Sequence, residues 1–127
     1  MSEPRPFDYA VIRVVPHEER GEFINAGVIL FCPAQRFLEA RIACRPERLA
    51  ALAPGLKPAL VRHHLEAIPR ICAGGAVAGT LGDLSQAERF RWLVAPRNTI
   101  IQTSAVHSGL TSDPGATLER LFAEYVP

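Results

Sequence analysis

Residues 9–44 read YAVIRVVPHEERGEFINAGVILFCPAQRFLEARIAC, and this stretch decides the fold. β-Branched residues dominate residues 9–15, apolar residues fill residues 22–32, and apolar and polar residues alternate over residues 37–44. These patterns predict three β-strands. Because the connections between the strands are short, we expect them to pair as an antiparallel meander.

The middle strand, residues 22–32, carries apolar side chains on both of its predicted faces, which is typical of a central strand covered on both sides. Strict alternation assigns one face to Ile24, Ala26, Val28 and Leu30, and the other to Phe23, Ile29 and Phe31. Asn25 and Gly27 interrupt the second face. A glycine within a strand predicts a β-bulge or a close approach of another backbone.

Helical patterns follow the three strands. Pro46 opens a short helix that ends at Pro54, and a second helix begins near Pro58 with an apolar stripe. We expect Pro69 to kink this second helix or to end it early. The glycine-rich residues 74–82 predict a flexible loop, because they lack the preceding strand and the following Gly-Lys-Ser/Thr of a phosphate-binding loop.

The C-terminal part of the chain predicts two capped helices and one late strand. Ser85 and Glu88 form a capping box, and Asp113 followed by Pro114 is a second helix start. Residues 99–103, Thr-Ile-Ile-Gln-Thr, are β-prone. The predicted fold class is α+β: an antiparallel sheet of about four strands, the N-terminal three-strand meander plus the late strand, with helices packed mainly on one face.

The composition restricts the class of protein. The 127 residues are 48% hydrophobic and 21% charged, which predicts a single globular domain over residues 1–127. The net charge of +1 argues against nucleic-acid binding through bulk charge. With a total charge so close to neutral, nucleic-acid binding would need a stripe of arginines on one face of the protein. The chain shows no apolar run of membrane-spanning length and no signal-peptide pattern, so we expect no membrane association and a cytoplasmic location.

Side chains with catalytic or metal-binding chemistry are few and scattered. The cysteines, Cys32, Cys44 and Cys72, have no C-x-x-C spacing, so we expect reduced thiols and no disulfide. His63 and His64 are helix neighbours that point about 100° apart, so we expect no metal between them. No nucleophile, nucleotide-binding or metalloprotease motif occurs. The sequence therefore predicts no metal and no cofactor, and it leaves open whether the protein is an enzyme.

Two sets of polar residues are the candidate functional residues. The first set lies in the first hairpin and contains Arg13, Arg20, Glu22 and Asn25. The second set lies within residues 95–113, which include the late strand, and contains Arg97, Gln102, Ser104, His107 and Asp113. Both sets are rich in side chains that hydrogen-bond to anions, amides or backbone groups.

We expect the two sets to meet in space beside the polar interruption of the middle strand. Glu22 is then placed to accept a hydrogen bond from Arg97, and His107 to donate one to Asn25. The alternatives are a polar network that only stabilises the fold, and loop side chains that only satisfy their own backbone.

Several of these residues belong to a longer resemblance. It is carried by residues 9–16 and 20–31, by residues 90–97, and by Gln102, Ser104, His107–Gly109 and Asp113–Pro114. Over nearly the whole chain, these segments resemble the bacterial family named Domain of Unknown Function 3037. The resemblance implies that both polar sets belong to the family pattern. It also implies a HipA-like kinase as protein partner, since genes for such kinases lie beside those of family members.

Two classes of function remain. The first is a non-enzymatic interaction or regulatory module that serves a protein partner, favoured because no activated nucleophile, carboxylate pair or metal set is visible. The second is a small anion- or nucleotide-binding domain or enzyme that uses Arg97, His107 and Asp113 around an anion. A deep cavity joining the two polar sets favours the second class, and a flat apolar patch favours the first. The oligomeric state is left open.

Overall fold

The structure, a computed structural model, describes residues 3–127. Within this range it contains a five-stranded antiparallel sheet and four α-helices. The strands are β1 (Arg5–Val14), β2 (Ile24–Cys32), β3 (Phe37–Ile42), β4 (Ile101–Thr103) and β5 (His107–Thr111). The helices are α1 (Pro46–Leu52), α2 (Pro58–Ala73), α3 (Gln86–Val94) and α4 (Pro114–Tyr125). The predicted α+β class is confirmed. Residues 1 and 2, which the predicted domain and N-terminal segment include, lie outside the described residues.

β1 is the centre of the sheet. It pairs with β2 on one side, and on the other side its C-terminal half pairs with β4 and its N-terminal half with β5. β2 also pairs with β3, which confirms the predicted meander. The late strand is part of the sheet, as predicted, but it lies beside β1 and not beside β2. β3 already occupies the second edge of β2, so no edge of β2 is left for it.

A β-bulge in β2 decides which side chains face which side of the sheet. Ile12 pairs with Gly27 and Arg13 with Asn25, so Ala26 is the extra residue. The bulge inverts the alternation beyond it. One core therefore receives Ile24, Ala26, Ile29 and Phe31, and the other receives Val28, Leu30 and Cys32. The predicted bulge is confirmed, and the assignment of faces by strict alternation is wrong because of it.

Helices cover the two faces of the sheet unequally. α1, α2 and α3 pack on one face, where the larger core contains Leu49, Leu65 and Phe90. α4 packs alone on the opposite face, where Leu118 and Leu121 complete a smaller core. Three of the four described helices thus lie on one face, as predicted. No helix between residues 3 and 127 is long and apolar enough to cross a bilayer.

Both predicted helix caps are present, two local predictions need correction, and one strand is missing from the sequence-based expectation. The Ser85 capping box opens α3, and the Asp113 side chain caps α4. α2 continues through Pro69 to Ala73, so the prediction that the proline ends it early is wrong; its apolar stripe stays packed on the core beyond the proline. Residues 75–83 form consecutive 3-10 turns and not an irregular loop. β5 is not predicted, since its polar sequence becomes a strand only through pairing with β1.

Candidate functional site

A row of polar side chains crosses the sheet near the end of β1. Arg13 pairs with Asn25 of β2 and with Gln102 of β4. Cross-strand partners point to the same face of a sheet. This is the face of α4, because Asn25 Nδ2 donates a 3.0 Å hydrogen bond to the backbone oxygen of Tyr125. The structure thus brings together three predicted residues from both polar sets, which we call the polar row.

Aromatic rings extend the polar row toward β5. His107 pairs with Tyr9, and the centroids of their rings are 5.3 Å apart. The hydroxyls of Tyr9 and Tyr125 share a hydrogen bond of 3.1 Å, and this bond, together with burial, raises the pKa of Tyr9 to about 12. Neither tyrosine is a predicted site residue. The sequence indicates Tyr9 in one respect: it lies four residues before Arg13 in the first strand, so both side chains point to the same face of the sheet.

Two buried polar atoms of the polar row have no hydrogen-bond partner within residues 3–127. They are Arg13 Nε, a donor, and Asn25 Oδ1, an acceptor. The guanidinium carbon of Arg13 lies 4.2 Å from the ring centroid of Phe23, a cation–π contact. Buried polar atoms are nearly always paired in native proteins. An unpaired donor beside an unpaired acceptor therefore fits a small polar group that binds both.

Other predicted residues have local partners. Arg20 and Glu22 form an exposed ion pair with 2.8 Å between Nε and Oε1. Ser104 bonds to the backbone of Val11 in the sheet. Asp113 caps the first turn of α4, so the helix separates it from the polar row at the other end. His107 begins β5 and Asp113 follows its end, so the structure does not bring these two predicted residues together.

Arg97 lies on the side of the sheet that carries α2 and α3. Its guanidinium carbon is 4.3 Å from the ring centroid of Trp92. Its terminal nitrogens donate to the backbone oxygens of Leu93, at 2.9 Å, and of Trp92, where a cation complements the end of the α3 dipole. Desolvation lowers the pKa of Arg97.

The two expected contacts between the polar sets are not formed. Within the described chain, Glu22 pairs with Arg20 and not with Arg97. Asn25 donates to Tyr125, and His107 packs on Tyr9. Cross-strand pairing joins the two sets through Arg13, Asn25 and Gln102, and His107 lies farther along β1, against Tyr9. Arg97 is held at the end of α3, which packs on the face of the sheet opposite the polar row.

A groove opens between α2, α3 and the edge strand β4. Its volume is about 430 Å³. On one wall lie four residues of α2 at helical spacing, which share one face of the helix: His64, Ala67, Ile68 and Ile71. The other walls are Trp92, Leu93 and Arg97, and residues 99–103 of the β4 segment. We call this feature the α2–β4 groove.

The α2–β4 groove is mainly apolar, and its described lining residues include basic side chains but no acidic one. Ile68, Ile71 and Leu93 are buried, whereas Trp92 is 44% exposed. Arg97 and His64 are the titratable side chains among the described lining residues, which include no Asp or Glu. Trp92 is not predicted as a site residue. The sequence feature that could have identified Trp92 is its large aromatic side chain at a position outside the apolar stripe of α3.

The described residues include no cluster of metal ligands, and burial raises the pKa of two of the three thiols, Cys44 and Cys72. Within residues 3–127, no three His, Cys, Asp or Glu side chains are placed to hold a metal ion. Cys32 and Cys72 are buried and Cys44 is half-buried. Burial raises the pKa of the Cys72 thiol to about 12, so this thiol is poorly ionised at neutral pH and a weak nucleophile.

Comparison with known proteins gives one match. The model of a family described as "Protein of unknown function (DUF3037)" matches residues 9–126. No curated protein and no solved structure matches the chain.

Proposed function

Because the chain belongs to the DUF3037 family, which is described only as of unknown function, we propose its function from its geometry: a non-enzymatic interaction module that binds a protein partner through the α2–β4 groove. The observation that carries this proposal is the half-exposed Trp92, stacked with Arg97 at the side of an apolar groove. Tryptophan and arginine side chains dominate the binding energy of protein interfaces, especially where they border a desolvated pocket.

The chemistry of the groove favours binding over catalysis. General acid–base catalysis needs a titratable pair within hydrogen-bond reach of the substrate, usually a histidine or carboxylate with a second group. Among its described lining residues, the groove offers His64 without a carboxylate beside it. Arg97 already donates to two backbone oxygens of α3. These groups orient and attract a partner but do not form a proton-transfer pair.

A HipA-like kinase is the first partner to test, on the strength of the family resemblance alone. The module acts in the cytoplasm in this proposal, where the thiols of Cys32 and Cys72 remain reduced. It serves the partner as a docking or regulatory subunit and needs no cofactor of its own.

Co-purification at native expression level tests the proposal. The tagged full chain is compared with Trp92→Ala and with Leu110→Ala, a control at an apolar β5 residue that is 70% exposed. We expect a stoichiometric partner that is lost with Trp92→Ala and retained with Leu110→Ala. The same variants are then titrated calorimetrically against the purified partner and against a purified HipA-like kinase. A partner that binds all three chains equally, or no stoichiometric partner at all, contradicts the proposal.

A second candidate function is the binding of a small anion at the polar row. The observation in its favour is the buried, unpaired Nε donor of the Arg13 guanidinium; the neighbouring Asn25 Oδ1 is an acceptor, so it can bind only a protonated oxygen of such an anion. Titration of the full chain with inorganic phosphate and with a nucleoside monophosphate, followed by the NMR signals of Tyr9 and His107, tests it. Arg13→Met should abolish the response, and Arg20→Met, at the exposed ion pair, should leave it intact. Equal responses of both variants, or none in the wild type, contradict this function.

A further inference from the structure

The outer edge of β4, beside the α2–β4 groove, has backbone groups available for another strand. Val15 N donates to Ile100 O at 2.7 Å, and Ser104 N donates to Val11 O at 2.8 Å, so alternate residues bond to β1. In an antiparallel ladder, the residues between them direct their backbone groups the other way. The N–H groups of Ile101 and Thr103 therefore point away from β1. The oxygen of Ile101 accepts a local bond from the Thr99 hydroxyl at 2.9 Å.

The side chains along this edge do not protect it against strand pairing; its protection is limited to the shortness of β4, three residues, and the irregular residues 104–106 that follow it. Natural edge strands are protected by charged side chains, proline or bulges. Residues 99–103, Thr-Ile-Ile-Gln-Thr, contain no charge and no proline, and they are strongly β-prone. By contrast β3, at the opposite edge of the sheet, carries Glu39 and Arg41. The side chains of β4, free of charge and proline, thus permit the pairing of an incoming strand.

The walls of the groove define the chemistry of that strand. Successive side chains of an added strand point to opposite faces, so every second residue would face Ile68 and Ile71 of α2 and needs to be apolar. Arg97 and His64 are the charged or titratable lining groups, without a carboxylate among the described lining residues. A carboxylate on the incoming segment complements this charge.

We propose that an extended segment of a partner protein adds to the outer edge of β4 as a further strand, inserts alternate apolar side chains into the α2–β4 groove, and places an acidic residue against Arg97. This inference rests on the proposed interaction function and deepens it. A second copy of this chain is the poorer occupant. Pairing of two β4 edges brings together two groove surfaces that carry Arg97 and His64 and offer no lining carboxylate to either.

A random heptapeptide library displayed on phage, selected on the immobilised full chain, provides the probe. We expect enriched peptides to alternate apolar residues and to contain Asp or Glu. The best synthetic peptide should bind Arg97→Gln at least tenfold more weakly than the wild type. Arg91→Gln is the matched control, because Arg91 is exposed on α3 and does not line the groove, and it should bind as the wild type does.

N-methylation of the peptide, one amide at a time, tests strand addition without altering the protein. A strand paired with β4 loses at least tenfold in affinity when an amide facing β4 is methylated, and little when the next amide is methylated. We therefore expect the loss of affinity to recur at every second amide of the peptide. We also expect the Ile101 and Thr103 amides of the protein to exchange hydrogen more slowly when the peptide is bound.

The possible failures separate the inference from the proposed function. Selected peptides with apolar residues at helical spacing and no two-residue period overturn strand addition, while the interaction function stands. A concentration-dependent dimer with protected Ile101 and Thr103 amides in the absence of peptide overturns it in favour of a second copy. A library that yields no peptide sensitive to Trp92→Ala overturns both the inference and the proposed function.

Discussion

Ser104 and Val11 are joined by two hydrogen bonds that complete the sheet where β4 gives way to β5. Ser104 N donates to Val11 O at 2.8 Å, and Val11 N donates to Ser104 Oγ at 2.9 Å. Between the pairs formed by Thr103 and His107, residues 104–106 face only two residues of β1, which forms a bulge. The serine hydroxyl takes the place of a backbone carbonyl in the ladder, so this predicted site residue has a structural contact.

Replacing Ser104 with alanine should lower the free energy of unfolding by about 1–3 kcal/mol, because the buried Val11 N–H loses its acceptor. Ser108→Ala is the matched control. The Ser108 hydroxyl donates to Asp8 Oδ1 at 2.6 Å but is exposed, so its removal should cost less than about 0.5 kcal/mol. Urea denaturation of both variants measures the difference. Equal losses would contradict the role assigned to Ser104.

Arg89 should be far more important for stability than its helical neighbours. It is 7% exposed, and its Nη1 donates to the backbone oxygens of Ile71 at 2.8 Å and Cys72 at 2.6 Å, at the end of α2. Arg89→Met should lower the free energy of unfolding by about 3 kcal/mol, since charged hydrogen bonds to buried carbonyls are lost. The exposed Arg91→Met should change it by less than about 0.5 kcal/mol. Thermal and urea unfolding of the pair decide this prediction.

The bulge glycine should not tolerate a methyl group. A Cβ on Gly27 would overlap the backbone oxygen of Arg41 and lie 2.9 Å from Ile12 Cδ1. Gly27→Ala should therefore lower the free energy of unfolding by about 1–3 kcal/mol, the usual cost of overpacking. At Gly55 a Cβ meets nothing within 4 Å, so Gly55→Ala should be neutral or stabilising. Comparable losses in the two variants would show that β3 does not restrict Gly27.

Signals that lie close together in the sequence predict their structures well. The Ser85 and Glu88 capping box and the Asp113 cap need only a few neighbouring residues, and both are present. The Trp92–Arg97 stack is also local and readable in principle, because an aromatic residue near a helix end precedes an arginine by five positions. The α+β class follows from the order of strands and helices, which is equally a property of short segments.

Features that depend on pairing between segments distant in the sequence cannot be predicted from short sequence patterns. The bulge at Ala26 inverts the faces of β2, but its position follows from the register against β1. β5 forms from a polar sequence that has little strand propensity without its partner. Arg13 and Asn25 can be placed on one face from the hairpin alone. Gln102 joins them only because β4 pairs with β1, and that choice of neighbour is a tertiary one.

Alkaline pH should destabilise the protein in part through Cys72. Burial raises its pKa from 9.0 to about 12, so between these values the folded chain keeps a proton that the unfolded chain has lost. Stability therefore falls as pH rises from about 9 to about 12, by up to about 1.4 kcal/mol per pH unit for one such group. Tyr9, with a pKa raised from 10.0 to about 12, adds to the loss above pH 10.

Cys72→Ala should make the free energy of unfolding fall less steeply above pH 9. Urea denaturation of wild type and variant at several pH values from 8 to 11 isolates this thiol, because all other titrations cancel in the difference. Tyr9→Phe should reduce the fall only above about pH 10, the onset expected for a phenol. A constant difference between wild type and Cys72→Ala over the whole range would contradict the assignment.

Proline substitutions should distinguish the two sides of β4. Gln102 pairs with Arg13, so its N–H belongs to the ladder with β1, whereas the N–H of Thr103 points outward. Proline is tolerated at edge-strand positions whose N–H faces solvent, because no ladder bond is lost. Thr103→Pro should therefore lower the free energy of unfolding by about 1 kcal/mol or less. Gln102→Pro should lower it by about 1–3 kcal/mol more, because the Gln102 N–H is lost from the ladder with β1. Thr103→Pro should still abolish binding of the selected peptides, because it removes a donor that an added strand needs. Equal destabilisation by the two prolines, or unchanged peptide affinity in a folded Thr103→Pro variant, would show that the outer edge of β4 is not the docking edge.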